Sequence, residues 1–266
     1  MKTLEVLCVT MYQNDFSKIE EMNISGNVVF ANQTDCNNYN EIIYGDEGCT
    51  AKMISTNTHG VGKNRNIALL YSSADILLFA DDDVTYFDGY EKKVLDMYEK
   101  YPEADLIIFS LDITKNGEVI RKISNKDKKL HFYEALKYGT CVCSIRRESL
   151  QKANLWFSTL FGGGTEFGHG EDTLFIIDAF RKSLKVYSSS YCLGTCSKDS
   201  STCFTGYDEK YFFDQGVFYG CAFNCWAFLM SLQFCIRKYK RYKEDVTFSK
   251  AFRNMRNGIK HYRNKN

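Results

Sequence analysis

The sequence predicts an α/β fold, a mostly parallel sheet flanked by helices and followed by a helical C-terminal region. Three observations point there. Through the first 110 residues short apolar runs alternate with amphipathic segments, the mark of β-α-β units. Ile76–Ala80 (ILLFA) is apolar throughout, as a buried parallel strand requires, and stops abruptly at Asp81-Asp82-Asp83. Finally, Gln215–Ile236 runs 22 residues without a charge before Arg237, Lys238, Lys240, Arg241 and Lys243. Residues 1–195 are read as the α/β domain and 196–266 as the apolar and basic helical region.

Taken in order, Leu4–Thr10 reads as a first strand, Phe16–Met22 as a helix and Asn27–Asn32 as a second strand. A third strand falls within Glu41–Tyr44 or Ala51–Ser55. Gly60–Lys63 turns into a helix over Arg65–Ser72, where Ile67, Leu70 and Tyr71 keep helical spacing. After the Ile76–Ala80 strand come a helix at Gly89–Tyr101 and a strand at Asp105–Leu111. The polar stretch Thr114–Leu130 reads as a mobile loop or hairpin. Cys141–Arg146 is a further strand and Glu148–Ala153 a short helix. The glycine-rich loop Phe161–Gly170 leads into a helix at Glu171–Ser183, and Lys185–Ser190 is the last strand.

With 266 residues and 44% apolar content, the chain can bury a substantial core. A single proline and 18 glycines exclude collagen-like and proline-rich classes, and 34 basic against 33 acidic residues exclude a uniformly basic nucleic-acid binder. No nucleic-acid partner is expected. The even total hides an asymmetry: residues 237–266 carry 11 Lys/Arg against Glu244 and Asp245, a net +9, which leaves −8 on residues 1–236. The start MKTLEVLCVT has no signal-peptide pattern, so a reducing, cytoplasmic setting is expected. The 11 cysteines show no paired C-x2-C spacing; those at 192, 196 and 203, like the others, read as buried free thiols.

Three successive aspartates at the carboxyl end of a strand repel one another unless a cation binds them. In open α/β sheets that strand end borders the ligand crevice. Carboxylates without histidine or thiolate suit Mg²⁺ or Mn²⁺, whose shell is completed by substrate phosphates. The competing reading is turn and cap chemistry. A second acidic element, Gly168-His169-Gly170-Glu171-Asp172, sits at a glycine-to-helix junction. Its acids can simply cap the helix; behind the flexible Gly162-Gly163-Gly164 run, one of them can instead serve as a general base. His169 reads as a loop residue rather than a ligand or an acid.

Together these elements resemble the inverting family 2 glycosyltransferases of GT-A fold, specifically bacterial members of surface-polysaccharide assembly. Thr10-Met11-Tyr12 is similar to the family's nucleotide-binding turn, and Asn32-Gln33-Thr34-Asp35 to its NQ-type variant. Gly60-Val61-Gly62-Lys63-Asn64-Arg65-Asn66 resembles the G-x-x-x-x-R-N element, Asp81-Asp82-Asp83 the DxD motif and Gly170-Glu171-Asp172 the late ED element. The resemblance covers most of residues 4–190 and implies roles. Thr10, Tyr12, Asp35 and Arg65 would line the nucleobase pocket, with Asn32, Gln33, Asp81 and Asp82 also on the nucleotide. Asp83 would hold the metal, Asp172 would deprotonate the acceptor hydroxyl, and Glu171 would contact acceptor or donor sugar. Asp82 stands where the family often has a small or hydrophobic residue, which leaves the direct metal ligand open by one position.

The implied activity is metal-dependent transfer of a sugar from a nucleoside diphosphate donor, UDP being the usual one, to a hydroxyl of a lipid-linked saccharide. A non-catalytic membrane-associated scaffold and a sugar nucleotidyltransferase are the alternatives. The latter class opens with a basic, proline-containing glycine loop, whereas Thr10–Asp15 reads TMYQND. The tail admits interfacial, membrane-spanning and core-helix readings. Gly220, Asn224, Ala227 and Ser231 form one small or polar stripe on an apolar helix, and the basic run suits an anionic membrane surface at the inner face of the plasma membrane.

Overall fold

The computed structural model describes residues 2–124, 126–197 and 206–265. Its strands are β1 (Leu4–Met11), β2 (Asn27–Gln33), β3 (Asn38–Tyr44), β4 (Cys49–Thr56), β5 (Ile76–Asp81), β6 (Val84–Tyr86), β7 (Leu106–Lys115), β8 (Glu118–Lys122), β9 (Lys128–Lys129), β10 (Cys143–Arg146) and β11 (Val186–Ser197). Its α-helices are α1 (Lys18–Glu21), α2 (Val61–Tyr71), α3 (Tyr90–Lys100), α4 (Phe132–Ala135), α5 (Arg147–Lys152), α6 (Glu171–Arg181), α7 (Glu209–Phe223), α8 (Ala227–Tyr242) and α9 (Phe248–Lys265). The sheet runs β3-β4-β2-β1-β5-β10-β7-β11-β6.

Strands β4, β2, β1 and β5 are mutually parallel, and β1, β2 and β5 are buried on both faces, which is why Ile76–Ala80 reads as an unbroken apolar run. Side-chain alternation assigns the faces. Val6 and Cys8 of β1, with Ile76, Leu78 and Ala80 of β5, pack beneath α3 through Val94, Met97 and Tyr98. Leu7, Val9, Leu77 and Phe79 pack against Ala68 and Leu69 of α2 and Phe175, Ile176 and Ala179 of α6. Three helices therefore clamp the central strands, and the carboxyl ends of β1 and β5 emerge together: Val9 pairs with Asp81.

Several elements differ from expectation. Both candidate third strands form, as an antiparallel β3–β4 hairpin. Strand β10 inserts antiparallel between β5 and β7, so the sheet is mixed, and the three-residue β6 pairs with β11. The polar stretch after β7 is a hairpin, with β8 folded back on β7 and β9 on β11. The first helix shrinks to one turn, while α2 starts at Val61 because the Val61 N–H donates to Gly163 O at 3.1 Å. Strand β11 continues to Ser197, across bulges. Ten described cysteines are free thiols; Cys8, Cys143 and Cys235 are buried as expected, but Cys36 and Cys225 are exposed. Cys203 lies outside the described residues.

The apolar tail segment is not one straight rod. Asn224, at φ 44° and ψ −110°, breaks it, and a single 3₁₀ turn at Asn224–Trp226 folds α8 back so that the Tyr219 and Phe234 rings stand 5.9 Å apart. By length and hydropathy the stretch Glu209–Tyr242 could cross a bilayer, and 44% of its most apolar window is buried inside the molecule. Helix α9 lies against α7 at backbone contact: a Cβ on Gly216 would fall 2.1 Å from Met255 O, and one on Gly258 2.1 Å from Phe213 O. Glycine is required there by the closeness of the crossing. Gly220 meets the Tyr262 ring in the same interface, so the small residues serve helix packing. This unit shares a core with the α/β domain, where Phe212, Val217 and Phe218 pack on Phe161, Phe167, Leu174 and Ile177.

Candidate active site

Arg65 occupies the centre of the site. It is 3% exposed on α2, and its guanidinium reaches Asp81 Oδ1 at 2.9 Å, Asp172 Oδ1 at 2.5 Å and Glu171 Oε1 at 3.3 Å. One buried cation thus joins the strand-end acids of β5 to the first turn of α6, residues separated by about 90 positions in sequence. Burial by itself lowers the Arg65 pKa, but the three carboxylates outweigh it and hold the guanidinium charged. Phe157 lies under it, 5.3 Å from ring centre to guanidinium carbon. Arg65 was expected on the nucleobase; its side-chain hydrogen bonds run to Asp81, Glu171 and Asp172.

The three aspartates differ sharply. Asp81 is engaged by Arg65, and desolvation keeps its carboxyl pKa above the ordinary value despite that cation. Asp82 accepts from the Thr10 hydroxyl at 2.6 Å, with Lys18 Nζ 3.4 Å from its backbone carbonyl. Asp83 is exposed; partial desolvation first, then Asp81, raise its pKa, while a hydrogen bond from the Cys196 side chain opposes them. No group of three or more His, Cys, Asp or Glu among the described residues is arranged to chelate a metal. With Asp81 and Asp82 already partnered, Asp83 is the outward carboxylate. That donor set suits a hard ion held by one protein oxygen and completed by phosphate.

At the α6 end, Gly170 takes φ +115° and caps the helix, and a Cβ there would stand 2.7 Å from the Phe218 ring. Asp172 Oδ1 also accepts from the hydroxyl of Thr140, which is fully buried. Glu171 is pushed up to about 7 by desolvation, then by the Asp172 charge, with Arg65 opposing. The glycine run is docked between α2 and α6: Gly163 O accepts from Val61 N–H, and a Cβ on Gly162 would meet Val61 Cγ1 at 2.7 Å and the Glu171 carboxyl at 2.8 Å. His169 is bound up in α7, hydrogen-bonded to Gln215 Oε1 at 3.0 Å and stacked on Tyr211 at 4.9 Å. Its burial lowers its pKa. Beside it, Gly168 N–H donates to buried Asp214 at 3.1 Å.

The other expected nucleotide residues divide. Tyr12, at φ 54°, directs its hydroxyl to Asp35 at 3.5 Å, and both side chains are exposed at the exits of β1 and β2. Asn32 is 1% exposed and saturated from within: it accepts from Gln13 N–H and donates to Gln13 O at 2.8 Å and Ser55 Oγ at 3.1 Å, which fixes the turn after β1. Gln33 Oε1 accepts from Gly60 N–H at 3.1 Å, and its amide meets His59 Nδ1 at 3.2 Å, tying β2 to the start of α2. Thr140, Asp214 and Gln215 went unnoticed in the sequence because a lone hydroxyl, and an acid or amide inside a helical pattern, carry no local signal.

Comparison with known proteins bears on this arrangement. The glycosyl transferase family 2 profile matches residues 37–153, a span that includes Arg65 and the three aspartates but ends before Glu171. No curated protein matches. The structure aligns with Staphylococcus aureus TarS residues 1–349 in complex with UDP-GlcNAc at a TM-score of 0.66 and 14% identity, covering 100% of this chain and 92% of that one. The corresponding UDP complex gives 0.61 at 15% identity, with 100% and 92% coverage. A further TarS structure gives 0.57 at 15% identity, covering 82% of this chain and 39% of that one. The profile match and the fold together indicate a glycosyltransferase of GT-A fold. Within that class, residues 37–153 resemble glycosyl transferase family 2.

Proposed function

We propose that the protein transfers a sugar, with inversion, from a nucleoside diphosphate donor to a hydroxyl of a lipid-linked saccharide in surface-polysaccharide synthesis. The observation that carries this reading is the Arg65 bridge. It sets the strand-end acids and the α6 acids around one buried cation, and two opposed sets of acids are what in-line displacement at an anomeric carbon needs. Tyr12 and Asp35 offer a ring and a carboxylate to a base at the sheet edge. A uridine donor is favoured because TarS, of the same fold, was crystallised with UDP-GlcNAc and with UDP. Asn32 and Gln33 then act through the backbone they hold.

Asp83, as the outward carboxylate, would hold Mn²⁺ or Mg²⁺. Bound there, the ion would supply Lewis-acid stabilisation of the departing diphosphate. The acceptor oxygen is deprotonated by Asp172, whose orientation Thr140 and Arg65 fix. Glu171 sits beside the base within reach of acceptor or donor sugar, and its raised pKa lets it carry a proton near neutrality. Direct attack by the hydroxyl requires no enzyme nucleophile. The acidic body and basic tail suit a cytoplasmic enzyme working at the inner face of the plasma membrane.

The test is nucleoside diphosphate release from UDP-sugars with a membrane extract as acceptor, in Mn²⁺, Mg²⁺ and EDTA. The expected result is metal-dependent release that falls at least about a hundredfold in Asp172→Asn. Release that persists in EDTA overturns the metal assignment; none with any nucleotide sugar overturns the transferase reading.

A further inference from the structure

The outward face of α8 lies far from the acid cluster in sequence and carries an arrangement that the transfer reaction does not use. Trp226 is 64% exposed, Leu229 56% and Ile236 62%, and they recur at spacings of three and seven, so they share one side of the helix. The opposite side, through Ala227, Ser231, Phe234, Cys235 and Tyr242, is buried against α7 and α9. The apolar stripe passes directly into a basic one, since Arg237, Lys240, Arg241 and Lys243 are exposed.

Helix α9 adds a second basic row along Lys250, Arg253, Arg256, Lys260 and Arg263, all exposed. Its far end reaches the start of α8: Arg263 donates to Asn224 O at 2.8 Å, and its guanidinium stands 5.0 Å from the Phe228 ring centre. Between Cys225 and Asn266 the only acids are Glu244 and Asp245. Exposed Trp, Leu and Ile framed by cations, on a helix whose other side is already packed, are the features of a helix lying in a bilayer interface.

We propose that this face of α8, flanked by α9, docks the protein on an anionic phospholipid surface in the plane of the interface, without crossing it. A second copy of the chain fits worse, because the patch would bring two strongly basic surfaces together. The folded-back geometry at Asn224 also argues against a span, since it packs the two halves of the apolar segment against each other through Tyr219 and Phe234. This deepens the lipid-linked acceptor reading of the previous subsection, yet vesicle binding needs neither donor nor acceptor, so the two can fail separately.

The experiment is co-sedimentation of the full chain with extruded phosphatidylcholine vesicles, pure or containing 30% phosphatidylglycerol, at low and high NaCl, alongside light scattering of the protein alone. The expected result is binding to the anionic vesicles only, weakened at high salt. Binding should be lost in Trp226→Ser/Leu229→Ser/Ile236→Ser and weakened about a hundredfold in Arg237→Gln/Lys240→Gln/Arg241→Gln. Both variants alter exposed side chains, and their circular dichroism melts should match the parent. The proposal is overturned by no binding to anionic vesicles, by equal binding to neutral ones, by parental binding in the triple variants, or by a dimer that the Trp226/Leu229/Ile236 variant dissolves.

Discussion

Arg65 Nη1 lies 2.5 Å from Asp172 Oδ1, a contact across 107 positions of sequence, while the other guanidinium nitrogen holds Asp81 at 2.9 Å. The pairing holds the proposed base at a fixed distance from the donor-side acids, and it does so through a residue that solvent scarcely reaches.

Removing that cation leaves carboxylates packed together without a counter-charge. Arg65→Met is expected to lower unfolding free energy by about 3–5 kcal/mol, the usual cost of breaking a buried ion pair from one side. Urea denaturation followed by circular dichroism reads this. A loss below about 1 kcal/mol would mean that water already screens the cluster.

Asp172→Asn should cut transfer by a factor of about 10² to 10⁴ with little change in uridine diphosphate affinity, since the base faces the acceptor. Initial rates and a nucleotide titration separate the two effects. A large loss of nucleotide affinity would place Asp172 on the donor.

The raised Glu171 carboxyl makes stability depend on pH. A carboxyl whose folded pKa of about 7 exceeds its unfolded 4.5 binds more protons in the native state between those values. Its contribution is therefore fully present below 4.5 and is lost as pH rises to 7. Asp81 and Asp83, also raised, act in the same direction. Glu171→Gln should flatten the decline of thermal midpoint between pH 4.5 and 7; an unchanged slope would assign it to other groups.

Asp214 of α7 reaches the loop before the base, accepting from Gly168 N–H at 3.1 Å and pairing with Lys210 at 2.5 Å. Asp214→Ala should lower kcat while leaving donor KM near its parental value, because it loosens the Gly170 turn and not the β1 side of the site. The lost hydrogen bond should also cost about 1–3 kcal/mol of stability. Steady-state kinetics with varied donor would show a KM rise instead if α7 acted on donor binding.

What sequence alone determined is what neighbouring residues determine. The apolar runs at β1, β2, β5 and β7 announced buried strands, the aspartates marked where β5 ends, and Gly170 followed by two acids marked the start of α6. These are consequences of side-chain alternation, strand burial and helix capping, all of which act within a few positions. Tertiary structure decided the rest. Strand β10 enters the sheet antiparallel between β5 and β7, and no periodicity in CSIR states that direction. Asn32 turned inward to Gln13 and Ser55, and Arg65 found its carboxylates 16, 106 and 107 positions away. The charge-free tail likewise had no visible break, yet Asn224 ends α7 and folds α8 back, while Gly216 and Gly258 allow α7 and α9 to touch backbone to backbone. Contacts of that kind depend on which surfaces packing brings together, and local sequence does not contain that information.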